Sequence, residues 1–120
     1  MNGPTFNNDL VSLVDDRVEE GVFRVDRSVY TDQHIFDMEM ERVFESGWVF
    51  LCHESQIPDA GSYFASEIGR APVVVIRQKD GGILSFINVC SHRAAILTPR
   101  KRGKARVLTC RFHGWAYSSD

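Results

Sequence analysis

The sequence has only three cysteines and four prolines in 120 residues, and its longest apolar run is the six residues 71–76. An odd, small number of cysteines excludes a disulfide framework and leaves metal-binding or free-thiol roles. Six apolar residues are far too few for a membrane-spanning helix. The start of the chain lacks the basic stretch and apolar core of a secretory signal; it carries Asp9, Asp15, Asp16, Glu19 and Glu20 instead. These absences point to the cytoplasm, with no membrane partner. Net charge is also scarce, at −2, so the chain is neither a polyanion binder nor an acidic tail. What remains, 43% hydrophobic and 25% charged residues, is the composition of an ordinary globular domain.

The small net charge hides an asymmetry. Residues 1–50 hold 11 acids and 4 bases, a net of −7, whereas residues 51–120 hold 5 acids and 10 bases, a net of +5. The hydrophobic pattern changes near the same place. Leu10–Glu20 reads as a short helix. Thr31 reads as an N-cap for an amphipathic helix carrying Ile35, Phe36, Met40, Val43 and Phe44, with Gly47 as its stop. From Trp48 the pattern is strand-like. Candidate strands are Trp48–His53, Ser62–Ile68, Pro72–Gln78, Ile83–Val89, Arg106–Thr109 and Trp115–Tyr117. Turns are expected at Ile57–Gly61 and at Asp80-Gly81-Gly82. The fold expected is mainly β: an N-terminal helical lead-in over residues 1–47, then a small antiparallel β domain over 48–120.

Two short segments carry the chemistry. Cys90-Ser91-His92 is C-x-H, and Cys110-Arg111-Phe112-His113 is C-x-x-H, with 17 residues between His92 and Cys110. Each follows a candidate strand, so each sits on a loop at a strand end, and two neighbouring loops can bring four ligands together. A structural zinc ion uses the same ligand types, but common zinc motifs place two cysteines in one knuckle. One Cys and one His per loop suits a two-iron cluster with both thiolates on one iron and both imidazoles on the other. Four unrelated residues are the third reading. Gly114, after His113, allows a tight backbone turn, and Phe112, Trp115 and Tyr117 are placed to screen such a site or simply to pack.

Cys90-Ser91-His92-Arg93 and Cys110-Arg111-Phe112-His113-Gly114-Trp115 resemble the cluster motifs of Rieske ring-hydroxylating dioxygenases. The segment Ile35–Phe64 is similar to the approach to the Rieske domain in their large (α) subunits, most of all in the branch acting on benzoate, toluate and anthranilate. The resemblance implies a Rieske [2Fe–2S] cluster held by Cys90, His92, Cys110 and His113. It implies an oxidoreductase in which an NADH-dependent reductase supplies electrons. A mononuclear iron in a further domain then cis-dihydroxylates an aromatic carboxylate, within a hetero-oligomer with a β subunit and α–α contacts. Two features depart from the family pattern. Ala94 stands where the family often has glycine, and the sequence ends seven residues past His113, before any mononuclear iron motif. On this reading the chain is an N-terminal piece of an α subunit whose β domain is cut short, and it should hold a cluster poorly by itself. A free-standing Rieske ferredoxin-type carrier and a zinc-stabilised interaction module are the alternatives.

Three other features are weighed. The basic run Arg100-Lys101-Arg102-Gly103-Lys104, with Arg106, reads as a solvated hairpin turn or as a docking patch for an acidic redox partner; nothing in it suggests nucleic acid. Cys52-His53 resembles a third metal pair, but strand neighbours face opposite sides, so Cys52 is taken as packing. His34, near a helix start, is expected to face solvent.

Overall fold

The computed structural model describes residues 8–119. The chain begins with a single helical turn, α1 (Asn8–Val11), and a two-stranded hairpin, β1 (Val14–Arg17) against β2 (Val22–Val25), with Asp15 opposite Arg24. The helix expected over Leu10–Glu20 is therefore not formed. Val14 and Val18 are β-branched, and Gly21 at φ +64° reverses the chain through a conformation that glycine adopts without cost.

Two further helices follow, α2 (Ser28–Thr31) and α3 (Gln33–Glu39), the latter running on into a π turn at Met40–Phe44. This is the amphipathic helix the sequence pattern predicts, but its N-cap is Asp32, not Thr31. The His34 and Ile35 N–H groups donate to the Asp32 carboxylate at 2.8 and 3.1 Å. Thr31 is instead the last residue of α2. His34 faces solvent as expected.

The β domain is a four-stranded antiparallel sheet in the order β5-β4-β3-β6, formed by β3 (Ser62–Ile68), β4 (Ala71–Arg77), β5 (Ile83–Ile87) and β6 (Arg102–Lys104). A separate hairpin pairs β7 (Val107–Thr109) with β8 (Ala116–Ser118). The central strands β3 and β4 are buried on both faces. Tyr63, Val74 and Ile76 pack with Leu108 on one side, and Phe64 and Val75 pack with Ile57 on the other. That explains the near-continuous apolar run along β4. Arg77 clamps the sheet end: its guanidinium donates to the carbonyls of Ile57 at 3.0 Å and Gly81 at 2.9 Å.

Trp48–His53 forms no strand. It pairs with no strand, since the sheet is built of β5, β4, β3 and β6 alone. Only Leu51 and Cys52 turn toward the core, against the Ile57, Phe64 and Val75 cluster, while Trp48 and Phe50 are exposed. The basic run, by contrast, supplies strand β6. Gly103 lies opposite Tyr63, and the cationic heads of Lys101 and Arg102 sit over the Phe64 ring, 5.7 and 5.2 Å from its centre. Charged residues on an edge strand also discourage unwanted strand pairing.

The lead-in extends away from the sheet. The radius of gyration is 20.0 Å, against about 13.5 Å for a compact chain of this length. Arg70 joins the two parts by ion pairs to Glu45 at 3.0 Å and Asp37 at 3.7 Å. Its hydrogen bond holds the Glu45 carboxyl below the ordinary carboxylate range. Among the described residues no helix is long and apolar enough to cross a membrane.

Candidate metal centre

The two Cys/His segments form the same turn twice. In the first, the Cys90 N–H donates to the Ala95 carbonyl at 2.8 Å and the Ala94 N–H donates to the Cys90 carbonyl at 2.8 Å. In the second, the Cys110 N–H donates to Trp115 at 2.7 Å and the Gly114 N–H to Cys110 at 2.9 Å. Below the turns, Val89 pairs with Ile96 and Thr109 with Ala116. The fourth residue after each cysteine is left-handed, Ala94 at φ +53° and Gly114 at φ +76°. The motifs differ only in where the histidine falls within this common turn.

The turns face each other. Cys90 and Cys110 are each 2% exposed and share a core cluster with Leu97, which joins the sheet core through Phe86 and Tyr117. The histidines are at the surface, their ring centres 4.8 Å apart at an interplanar angle of 65°. Thiols thus pair inside and imidazoles outside. Among the described residues no three His, Cys, Asp or Glu side chains gather around one point as a single-ion site requires.

Aromatic rings hold the imidazoles. Trp115 stacks on His92 at 5.0 Å, nearly parallel, and Phe112 lies 4.1 Å from His113. Phe112 and Trp115 are 60% and 49% exposed, so they brace the histidines rather than screen the site. Tyr117 reaches inward. Its hydroxyl lies 3.0 Å from Cys90 Sγ and 3.0 Å from the Ser91 hydroxyl, and it accepts from the Ser91 N–H at 3.0 Å. The Tyr117 bond is the main reason the Cys90 thiol is held below its ordinary range; burial opposes this, and the His92 backbone supports it.

Cys52 and His53 belong elsewhere. Cys52 is half-buried, and burial pushes its thiol up. His53 caps the short 3-10 turn Glu54–Gln56, its ring accepting from the Ser55 N–H at 3.2 Å while its main-chain N–H donates to the Gln56 side-chain oxygen at 2.9 Å.

The family model described as Rieske [2Fe-2S] domain matches residues 47–120. The chain belongs to the Rieske [2Fe–2S] family. It is 44% identical to the toluate 1,2-dioxygenase α subunit of Pseudomonas putida over 91% of this chain and 24% of that protein. It is 45% identical to the 2-halobenzoate 1,2-dioxygenase large subunit of Burkholderia cepacia over 98% of this chain and 25% of that one. Among solved structures, naphthalene 1,2-dioxygenase from Rhodococcus sp. superposes with a TM-score of 0.74 at 36% identity, over 79% of this chain and 22% of that chain. The chain therefore corresponds to the Rieske part of ring-hydroxylating oxygenase α subunits, and it spans about a quarter of the length of these curated relatives. A Rieske domain carries a [2Fe–2S] cluster, and the donor set present, two adjacent buried thiols and two adjacent exposed imidazoles, suits it.

Ala94 is the one non-glycine residue at positive φ among the described residues. A left-handed alanine costs about 1 kcal/mol relative to glycine. Ala94→Gly should therefore stabilise the domain by up to about 1 kcal/mol, net of the extra entropy of the unfolded chain, and raise its thermal midpoint by a few degrees. Differential scanning calorimetry checks this; a lower midpoint would show that the methyl group contributes packing.

Proposed function

We propose that the chain is the electron-receiving part of an aromatic-ring-hydroxylating dioxygenase α subunit. Cys90 and Cys110 bind one iron of the cluster and His92 and His113 the other. The single observation that carries this reading is the sorting of the four donors, thiols paired inside and imidazoles paired at the surface. When bound, the cluster supplies a one-electron store whose imidazole ligands raise its potential above that of an all-thiolate cluster. The chain's own residues do the rest. The paired turns orient the donors, Leu97 and the sheet core exclude water from the thiols, and Trp115 and Phe112 fix the imidazole planes.

The electron donor in this reading is an NADH-dependent reductase. The acceptor is a mononuclear iron that cis-dihydroxylates an aromatic carboxylate, in an assembly containing a β subunit and α–α contacts. The support for a carboxylate substrate is that two of the most similar relatives carry toluate and halobenzoate in their names. Reconstitution with ferrous iron and sulfide under argon tests the cofactor assignment. The expected product is red-brown, with equal iron and sulfide and the low average g-value of a mixed His/Cys cluster. A colourless chain holding one zinc ion would refute it.

Tyr117 should tune this centre. A hydrogen bond to a thiolate sulfur favours the reduced, more negative cluster, so Tyr117→Phe should lower the reduction potential. A difference of about 1 kcal/mol between the two redox states corresponds to roughly 40 mV for one electron. Protein-film voltammetry on both forms measures it, and an unchanged potential would remove Tyr117 from the electronics of the site.

A further inference from the structure

The two turns are alike from the cysteine to the fourth residue after it, but the stems below them are closed differently. Beneath Cys110, three ladder pairs stack in order: Thr109 with Ala116, Leu108 with Tyr117, and Val107 with Ser118. Beneath Cys90, Val89 pairs with Ile96 and the Leu97 N–H donates to the Asn88 carbonyl at 3.2 Å, but the third pair has no strand counterpart. There the Asn88 side chain intervenes. Its amide NH₂ donates to the Thr98 carbonyl at 2.9 Å, and its amide oxygen accepts from the Thr98 N–H at 3.0 Å. A primary carboxamide has the same donor and acceptor pair as a peptide unit.

We propose that Asn88 is a positioning residue for the cluster site: its carboxamide replaces the missing strand rung and sets the first ligand turn against the second. Asn88 is 4% exposed, and its main-chain N–H also donates to Pro72 at 2.8 Å, so the turn is tied to strand β4. Thr98 is tied in turn to the core, its hydroxyl donating to the Tyr63 oxygen at 2.9 Å. Cys90 stands two residues after Asn88, on a stem whose last rung is a side chain. Removing that rung leaves the Thr98 peptide groups buried without partners and frees the first turn to shift relative to Cys110 and His113. This inference rests on the cluster assignment above.

The test compares Asn88→Leu and Thr98→Val with the unmutated chain after reconstitution with ferrous iron and sulfide. Leucine matches asparagine in shape and lacks both hydrogen bonds. Thr98→Val removes the bond to Tyr63 but keeps the peptide groups that Asn88 holds. Asn88→Leu should shorten the lifetime of the bound cluster at least tenfold, since a single lost buried hydrogen bond is already worth about tenfold and this variant loses two, and should shift its electron paramagnetic g-values. Thr98→Val should lower the thermal midpoint and leave the g-values unchanged. Should Asn88→Leu fail to fold, Asn88→Asp decides, since it keeps the acceptor for the Thr98 N–H and loses the donor. Unchanged lifetime and g-values in a folded Asn88 variant would overturn the proposal. If the unmutated chain takes up one zinc ion and no cluster, the functional reading fails; in either case amide exchange at Thr98 in the metal-free chain still reads the stem. Exchange roughly tenfold faster in the Asn88 variant supports the rung, and equal exchange overturns it.

Discussion

Serine at either Cys90 or Cys110 will leave the reconstituted chain colourless. Iron–sulfur clusters select soft thiolate ligands, and a serine hydroxyl is a hard, weakly acidic donor. The two thiols are also the buried half of the site, each 2% exposed, so no nearby surface residue can take their place. The third thiol, Cys52, packs in a different cluster with Ile57, Phe64 and Val75, and so offers no rescue. Cys52→Ser should therefore retain the visible absorption bands that Cys90→Ser and Cys110→Ser lose. The same experiment on His92→Ala and His113→Ala should give partial or short-lived colour, since these two residues lie at the surface and solvent can occupy an open position there. Iron and sulfide analysis with visible circular dichroism reads all five variants. A full spectrum in either Cys90→Ser or Cys110→Ser would overturn the ligand assignment.

Gly103→Ala should destabilise the β domain by about 3 kcal/mol or more. A methyl group on Gly103 would fall 2.6 Å from Cζ and 2.7 Å from Cε1 of Tyr63, well inside contact distance. The ring cannot yield. Tyr63 is 6% exposed, packs against Val74, Ile76 and Leu108, and its hydroxyl accepts from Thr98. The methyl must therefore either push β6 off β3 or break the Tyr63–Thr98 bond. The thermal midpoint should fall by roughly 12–20 °C for a domain of this size. Gly81→Ala is the natural comparison. Gly81 sits at φ +90° in the turn between β4 and β5, with open space around it. It should cost only about 1 kcal/mol of backbone strain. Equal losses in the two variants would show that the Tyr63 ring gives way to the methyl group.

The sequence shows strands β3, β4 and β5 of the sheet clearly because each is an apolar segment bounded by turn residues. Ser62–Ile68 is read to the residue, and the neighbouring strands within one or two. It also shows the two ligand turns, since C-x-H and C-x-x-H are rare enough to stand out. Three features are misread for physical reasons. Leu10–Glu20 reads as a short helix, but Val14, Val18 and Gly21 make a hairpin that local pattern alone does not distinguish. Trp48–His53 has strand composition, but a strand exists only where another strand pairs with it, and composition does not reveal that. Strand β6 has the opposite problem. Arg-Gly-Lys has no apolar signal, and only the position of Gly103 over the Tyr63 ring explains its place in the sheet. At the site itself, Asn88 escapes notice because its role depends on Thr98, ten residues away, which spacing rules for helices and strands do not link.

The inside–outside sorting of the donors gives the centre a front and a back. Behind the thiols lie Leu97, Leu108 and Tyr63, a few layers of hydrocarbon that act as an insulator. In front, two imidazole edges and the exposed faces of Phe112 and Trp115 meet the solvent. Under the function proposed above, the electron donor and the acceptor iron would both have to approach from this face. Loading and delivery would then compete for one small patch, and the order in which partners occupied it would control the flow.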